Sequence, residues 1–293
     1  YGGGSASGFD VYHEGFGPML PHVAHVSPAW PYRSDLYGGQ DPTDFLIAEL
    51  EETIERIGPD KVAAFIGEPI MGVGGMLVPP DDYWPRVEAV LRKHGILLIL
   101  DEVVTAYGRV GTWFAAQHFG VTPDIIVTAK GITSGYIPLG AVLVADHVAQ
   151  VLGRDHGFPM GYTYNGHPTA AAVALRNLEI IEREGLLERA KTIGAYLHQQ
   201  LRSLLDLEIV GEVRYVGMMH AVELVADRET REPLPLVNLL PDEIRRESGV
   251  IVRDCGHNLV LSPPLVFTED EADRAVEAMR SVLARTGTDG VLS

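Results

Sequence analysis

The chain contains almost no cysteine and few basic residues. Cys255 is its single cysteine, so no disulfide can form within the chain, and we expect a reducing, cytoplasmic setting. Lys and Arg total 23 against 40 Asp and Glu, which gives a net charge of -17 and argues against nucleic acid or an anionic membrane as partner. No apolar run approaches the roughly 20 residues of a membrane helix, and we expect no signal peptide at the start of the chain.

A phosphate-binding loop of the G-x-x-x-x-G-K-[ST] type is also missing. The apolar run at 97–100, followed by Asp101 and Glu102, is similar to the element that accompanies such a loop in P-loop ATPases. Because the loop itself is absent from the sequence, we exclude nucleotide hydrolysis through that motif.

The order of the predicted elements indicates the fold class. The 293 residues, 46% hydrophobic and 22% charged, allow one large domain or two. From Asp41 to about Pro168, segments of helical and strand character alternate, which predicts an α/β fold with a mostly parallel central sheet covered by helices on both faces. From residue 186, strands mix with flanking helices. We therefore expect a large domain at 1–185 and a smaller C-terminal α+β domain at 186–293.

Local signals place the individual elements. Leu46, Leu50 and Ile54 recur at helical spacing, and Gly58 supplies the stop. The stretch at 268–271 matches a capping box that begins the closing helix. Strands are predicted at 62–66, 96–100, 125–129, 140–144, 207–210, 216–224, 250–253 and 259–261.

Asp101 and Lys130 each end a short apolar run of the kind found in buried parallel strands. The carboxyl ends of such strands meet at one sheet edge, where open α/β sheets bind their ligands. An acid and an amine facing one pocket suit pyridoxal 5'-phosphate (PLP), the acid for the pyridine nitrogen and the amine for the aldehyde. The alternative is a solvated loop lysine and an aspartate that caps a helix.

The sequence around these two residues resembles the class III, fold-type I PLP-dependent aminotransferases. The match runs from the first residues to about Arg280. Its most specific parts are LILDEVV at 98–104, GRVG at 108–111, AKG at 129–131 and YTYNGHP at 162–168. Four such motifs in this order and spacing give a specific signal for the family.

The resemblance implies roles for three residues near the cofactor ring. Lys130 would bind PLP covalently and then act as the base that moves a proton between the substrate Cα and the cofactor. Asp101 would pair with the pyridine nitrogen. Val103 would pack on one ring face. Since it lies two residues beyond Asp101, we expect an extended chain to place both on the same side.

Other residues enter through the same resemblance. Thr163 would bind the cofactor phosphate of a neighbouring subunit, although it also fits a simple turn residue. Glu68 would lie near the ring and order the site, the alternative being a solvated loop glutamate. Tyr1 would match a tyrosine that stacks on the ring, but Gly2 follows it where the family motif has His. We expect His167 to fix its turn, and no metal site is expected near it.

Two departures from the family pattern concern the substrate. Val73 and Val260 stand where ornithine-type members carry a glutamate and its arginine partner. Arg253 instead matches the mobile arginine of omega-aminotransferases, and a guanidinium can bind a carboxylate through two hydrogen bonds. A surface salt bridge is the alternative role for Arg253.

The predicted function is PLP-dependent transamination of a small amine or omega-amino acid with a keto acid such as pyruvate, in a homodimer or a tetramer. The alternatives are an adenosylmethionine–8-amino-7-oxononanoate aminotransferase and a non-catalytic truncated homologue. The family carries a further N-terminal part, with a Gly-Ser-rich phosphate loop. The Gly/Ser-rich start at Tyr1 fits a flexible tail, but we expect the middle of a longer protein.

Overall fold

A computed structural model describes residues 1–153, 157–158 and 160–292. Its helices are α1 (Gly2–Ala6), α2 (Pro42–Ile57), α3 (Tyr83–His94), α4 (Ala115–Phe119), α5 (Asp146–Leu152), α6 (Pro168–Arg183), α7 (Leu186–Leu201), α8 (Leu240–Ser248) and α9 (Glu269–Leu283). Its strands are β1 (Ala64–Gly67), β2 (Leu97–Asp101), β3 (Ile125–Thr128), β4 (Ala141–Val144), β5 (Val210–Val216), β6 (Met219–Asp227), β7 (Glu232–Pro233), β8 (Arg253–Cys255) and β9 (Asn258–Leu261). Within the described ranges, every helix is too short or too polar to cross a membrane.

The first sheet has the order β1-β2-β3-β4. β1, β2 and β3 are parallel, and β4 closes the row as an antiparallel strand. Gly67 is paired with Leu100, and Asp101 is paired with Val127, so the carboxyl ends of the three parallel strands lie side by side. A mostly parallel sheet with connecting helices confirms the predicted α/β class.

The helix that precedes the sheet shows how local sequence determines an element. Asp41 caps α2 by accepting a hydrogen bond from the Asp44 backbone N–H at 3.0 Å, and Pro42 occupies the first turn. Leu46, Leu50 and Ile54, four residues apart, are buried on one face. The helix ends at Ile57, before Gly58 with its positive φ, as the sequence predicts.

The second sheet has the order β5-β6-β9-β8, with β7 paired to β6, and its strand boundaries differ from the prediction. The strand predicted at 216–224 is confirmed over 219–224, within β6, but its start was wrong, because Gly217 forms a turn with φ +56° that separates β5 from β6. β5 begins at Val210 and β8 begins at Arg253, where strands had been predicted to end. The capping box is confirmed, since Thr268 and Glu271 cap α9 reciprocally.

The two sheets share one apolar core. Leu98 and Leu100 of the first sheet lie in the same buried cluster as Met219, Ala221 and Val260 of the second. A second cluster packs α7, α8 and α9 on the other side of the second sheet. The expected division at residue 185 stays a prediction, although α6 ends at Arg183 and α7 begins at Leu186.

Arg214 of β5 links the second sheet to the loop that follows β1. Its guanidinium donates hydrogen bonds to oxygen atoms of Gly75, Met76, Glu212, Glu223 and Asn258. The bonds to the carbonyls of Gly75 and Met76 measure 2.6 and 3.0 Å. The arginine therefore fixes a loop of the first sheet by its backbone.

Candidate active site

Three ionisable side chains meet at the carboxyl edge of the first sheet. Asp101 is the last residue of β2, and Lys130 follows β3 by two positions. Glu68 directly follows Gly67, whose partner in β2 is the residue before Asp101. The parallel register therefore brings Glu68, Asp101 and Lys130 to one edge, as expected from the two apolar runs.

The pKa of Glu68 reports this proximity. Burial raises the pKa of this carboxyl above its ordinary value, while a hydrogen bond from the Gly72 backbone N–H, 2.9 Å long, opposes the rise. The negative charge of Asp101 raises the pKa further, and the Lys130 amine lowers it. Both charges are close enough to act on Glu68, so the three groups form one electrostatic cluster.

One of the two Asp101 carboxylate oxygens is held by a backbone hydrogen bond. Its Oδ1 accepts a hydrogen bond from the Val103 N–H at 3.0 Å, while Oδ2 is left without a hydrogen-bond partner among the described residues. This bond turns the chain, because β2 ends at Asp101 and Val103 lies in a turn. Val103 is the first residue of the turn that follows β2, and both its position beside Asp101 and its ring-packing role stay predictions.

Lys130 has a strained backbone. Its φ is +41°, in the left-handed region that non-glycine residues avoid at a cost of about 1–3 kcal/mol. It begins a single 3-10 turn over Lys130–Ile132. The side chain is exposed and lines a depression of about 580 Å³ together with Thr133, Ile137 and Pro138. A strained lysine at such a depression indicates a functional position.

Glu102, next to Asp101, has a structural role. Its buried carboxylate accepts hydrogen bonds from the backbone N–H groups of Ala115 (2.6 Å) and Ala116 (2.9 Å) and from the Thr105 hydroxyl (3.0 Å). Burial nevertheless raises the pKa of Glu102. Its side chain therefore fixes the loop after β2 against the start of α4, and this holds in place the chain that directly follows Asp101.

The loop before α6 carries two further candidates. Thr163 lies exposed in a turn. His167 caps α6, since its Nδ1 accepts a hydrogen bond from the Ala170 N–H at 3.4 Å. This contact supports the structural role expected for His167, and the phosphate role of Thr163 stays a prediction.

Tyr1 and Arg253 lie apart from the cluster. Tyr1 is 77% exposed and lines a different depression of about 560 Å³. Arg253 is exposed at the start of β8, opposite Val260. In the part of the chain that the structure describes, neither residue shares a hydrogen bond, an ion pair or a depression with Lys130. Their assigned roles therefore stay predictions.

Sequence reasoning missed Asn177 and Tyr107. Asn177 of α6 donates hydrogen bonds to the carbonyls of Gly131 and Ile132, directly after Lys130. The Tyr107 ring packs against Gly131, and its hydroxyl donates to Thr128 Oγ1 at 3.0 Å. The sequence signal that could have identified Asn177 is a polar side chain next to the apolar positions of a predicted helix.

Comparison with known proteins adds a family match. The model of the family described as aminotransferase class-III matches residues 4–283. The chain is 41% identical over 97% of its length to the putrescine–pyruvate aminotransferase of Pseudomonas aeruginosa. Its structure is similar to an (S)-enantioselective omega-transaminase from Thermomicrobium roseum (48% identity, TM-score 0.89), with 95% of this chain and 63% of that chain covered.

A second solved structure is an amine transaminase from an uncultivated Pseudomonas species in its PLP-bound form. The identity is 44% and the TM-score is 0.91, with 97% of this chain and 66% of that chain covered. These neighbours confirm the predicted fold as that of PLP-dependent transaminases. The chain spans 65% and 63% of the length of two curated relatives that it matches.

Proposed function

Because the chain belongs to the class-III aminotransferase family, we propose that its protein transfers an amino group from an amine or omega-amino acid to a keto acid such as pyruvate, with PLP as cofactor. The observation that carries the proposal is the cluster of Glu68, Asp101 and Lys130 at one sheet edge, with the lysine amine open to a depression. The putrescine–pyruvate aminotransferase and the omega-transaminases among the relatives support the choice of substrates.

The residues present fit PLP. Lys130 supplies an accessible amine for the aldehyde, and the Asp101 carboxylate has its Oδ2 available for the pyridine nitrogen. When bound, PLP takes up the electron pair released as the bond between the substrate Cα and its hydrogen breaks. Asp101 would keep the pyridine nitrogen protonated, and the adjoining Glu102 contacts hold the segment in place.

Lys130 would perform two tasks at its Nζ atom. It would hold the cofactor covalently, and it would carry the proton to and from the substrate Cα. Both tasks require a neutral amine for part of the cycle. Glu68 would order this corner of the site through its hydrogen bond with the Gly72 N–H. Val103 would restrict one ring face, and Tyr1 would stack on the ring.

We propose that Arg253 binds the carboxylate of the keto acid. With valine at 73 and 260, the chain has no ornithine-type pair of glutamate and arginine at these positions. The guanidinium is exposed at the start of β8, and in this proposal it would swing towards a carboxylate and away from an apolar amine. Such a movement avoids placing an unpaired charge against an apolar group.

We also propose a homodimer, or a tetramer built from it, in which Thr163 completes the phosphate site of the partner subunit. Support comes from exposed apolar surface: Val142 is 62% exposed, Tyr136 85%, Tyr164 81% and Leu175 63%. A partner subunit would remove such side chains from water. We further propose a cytoplasmic location and a division into a large cofactor-binding domain at 1–185 and a small domain at 186–293.

Covalent trapping tests the proposal directly. After incubation of the complete protein with PLP, borohydride reduction and peptide mapping should place the label on Lys130. Lys130→Ala should lose the label and all turnover while remaining folded, because an exposed lysine contributes little packing. Lys93→Ala is the matched control, since Lys93 forms only a surface ion pair with Glu51 in the described structure. Label on another lysine contradicts the assignment, and a complete lack of label favours a non-catalytic homologue.

A further inference from the structure

A second strained residue closely follows the turn that presents Lys130. Ser134 has a φ of +47°, so left-handed backbone occurs both at the start of the turn and just after it. Within the turn, Thr133 N–H donates to the Lys130 carbonyl at 3.2 Å, and Ser134 N–H donates to the Gly131 carbonyl at 3.3 Å. Such short bonds of 3-10 type do not by themselves hold two non-glycine residues in an unfavourable conformation.

One side chain from another element spans this turn. The Asn177 amide nitrogen donates to the carbonyl of Gly131 at 2.8 Å and to that of Ile132 at 3.2 Å. Its Oδ1 accepts from the Ser134 hydroxyl at 2.7 Å. Both ends of the amide are therefore used: the nitrogen binds two carbonyls within the turn, and the oxygen binds the Ser134 side chain just after it.

Packing fixes the helix that carries this amide. Ala174 and Ile181 of α6 are buried in one cluster with Ile132 of the turn and Tyr107. The Tyr107 ring lies behind Gly131, where an added Cβ would be only 3.3 Å from Tyr107 Cβ. The turn is thus held between Tyr107 on one side and α6 on the other, and Asn177 contributes the directional contacts.

From this geometry we propose that Asn177 is a positioning residue for Lys130. It selects the left-handed backbone that directs the lysine side chain into the depression, and it touches neither substrate nor cofactor. The inference rests on the proposed function, because it assumes that Lys130 is the residue that binds PLP. The proposal thereby adds a residue of α6, the helix that begins shortly after Thr163, to those that shape the site around Lys130.

The test measures the rate at which Lys130 captures PLP, without any turnover. The complete protein is mixed with PLP, samples are reduced with borohydride over time, and the fraction labelled at Lys130 is determined by peptide mapping. Asn177→Ala should slow capture about tenfold, because hydrogen bonds to the turn are lost. Asn177→Asp should slow capture as much, since it keeps the size and loses the donor. Hydrogen exchange at Thr133 and Ser134 should become faster in both variants.

Two further variants complete the experiment. Asn238→Ala, at an exposed asparagine in the turn Val237–Leu239, should behave as wild type. Ser134→Ala removes only the contact to Asn177 Oδ1, so it should slow capture and speed hydrogen exchange to a smaller extent. Because Ser134 is exposed, this variant should fold normally and can test the proposal even if the Asn177 variants fold poorly. The pH at which the visible absorbance of the loaded protein changes should also shift in Asn177→Ala.

The outcomes separate the inference from the proposed function. If wild-type protein is not labelled at Lys130, the proposed function fails. If wild-type protein is labelled, and the Asn177 and Ser134 variants match it in capture rate and hydrogen exchange, the positioning role is overturned while the proposed function stands. Slower capture in these variants with an unchanged Asn238→Ala protein supports the positioning role.

Discussion

His220 of β6 should make the stability of the protein dependent on pH. The side chain is fully buried, its Nε2 lies 3.0 Å from the Gly194 carbonyl, and its Nδ1 has no hydrogen-bond partner among the described residues. Burial lowers the pKa of His220 from 6.5 to about 4; the contact with Gly194 opposes the shift, while the charges of His198 and Arg109 add to it.

The size of the effect follows from this shift. Between pH 6.5 and 4 the unfolded chain binds a proton at this histidine that the folded chain does not bind. The contribution to stability is therefore complete above pH 6.5 and is lost as the pH falls towards 4. The difference between 6.5 and about 4 corresponds to about 3 kcal/mol in total, of which about 2 kcal/mol is lost by pH 5.

Urea unfolding at pH 7.5 and pH 5 measures this loss. His220→Gln keeps an amide donor for the Gly194 carbonyl and does not titrate, so its stability should fall by about 2 kcal/mol less than that of wild type over the same range. Comparing the two proteins cancels the contributions of other groups. His22→Gln, at an exposed histidine, is the control and should follow wild type. Equal pH dependence in wild type and His220→Gln would refute the reasoning.

Three other changes have expected outcomes. Asp101→Asn should retain PLP but lower kcat by orders of magnitude, because a neutral pyridine accepts electrons poorly; wild-type single-turnover rates would contradict the role. Arg253→Ala should lower kcat/KM for pyruvate by a factor that corresponds to about 2–5 kcal/mol, and it should leave the reaction of a carboxylate-free amine unchanged. Equal losses for the two substrates would show a structural role. Gly194→Ala should destabilise the fold by at least about 2 kcal/mol in urea unfolding, since its Cβ would lie 1.9 Å from the Gly217 carbonyl oxygen; unchanged stability would mean that the two backbones can separate.

The sequence predicted those features that depend on local chemistry. The strands ending near Asp101 and Lys130 were found because buried parallel strands are continuous apolar runs. The capping box at Thr268 was found because its two hydrogen bonds require only residues three apart. The joint position of Asp101 and Lys130 followed from strand direction alone.

What the sequence could not predict depends on contacts between distant segments. The turn at Gly217 looks like strand interior in sequence, and it is determined by close approach to the Arg109 and Val110 backbone. The left-handed conformation of Lys130 depends on Asn177, which is 46 residues from Gly131 along the chain. The turn at Val103 depends on a hydrogen bond to Asp101 that strand periodicity does not contain.

The hydrogen bonds of Arg214 also limit how this family member can diversify. Arg214 holds the loop after β1 through the carbonyls of Gly75 and Met76, so those contacts do not depend on which side chains the loop carries. Gly75 itself is constrained, because an added Cβ would lie 2.5 Å from Asn258 Nδ2. Val73, two residues earlier, is 38% exposed. Substitutions at position 73 should therefore leave the backbone of this loop in place, whereas insertions in the loop would require compensating changes in the second sheet.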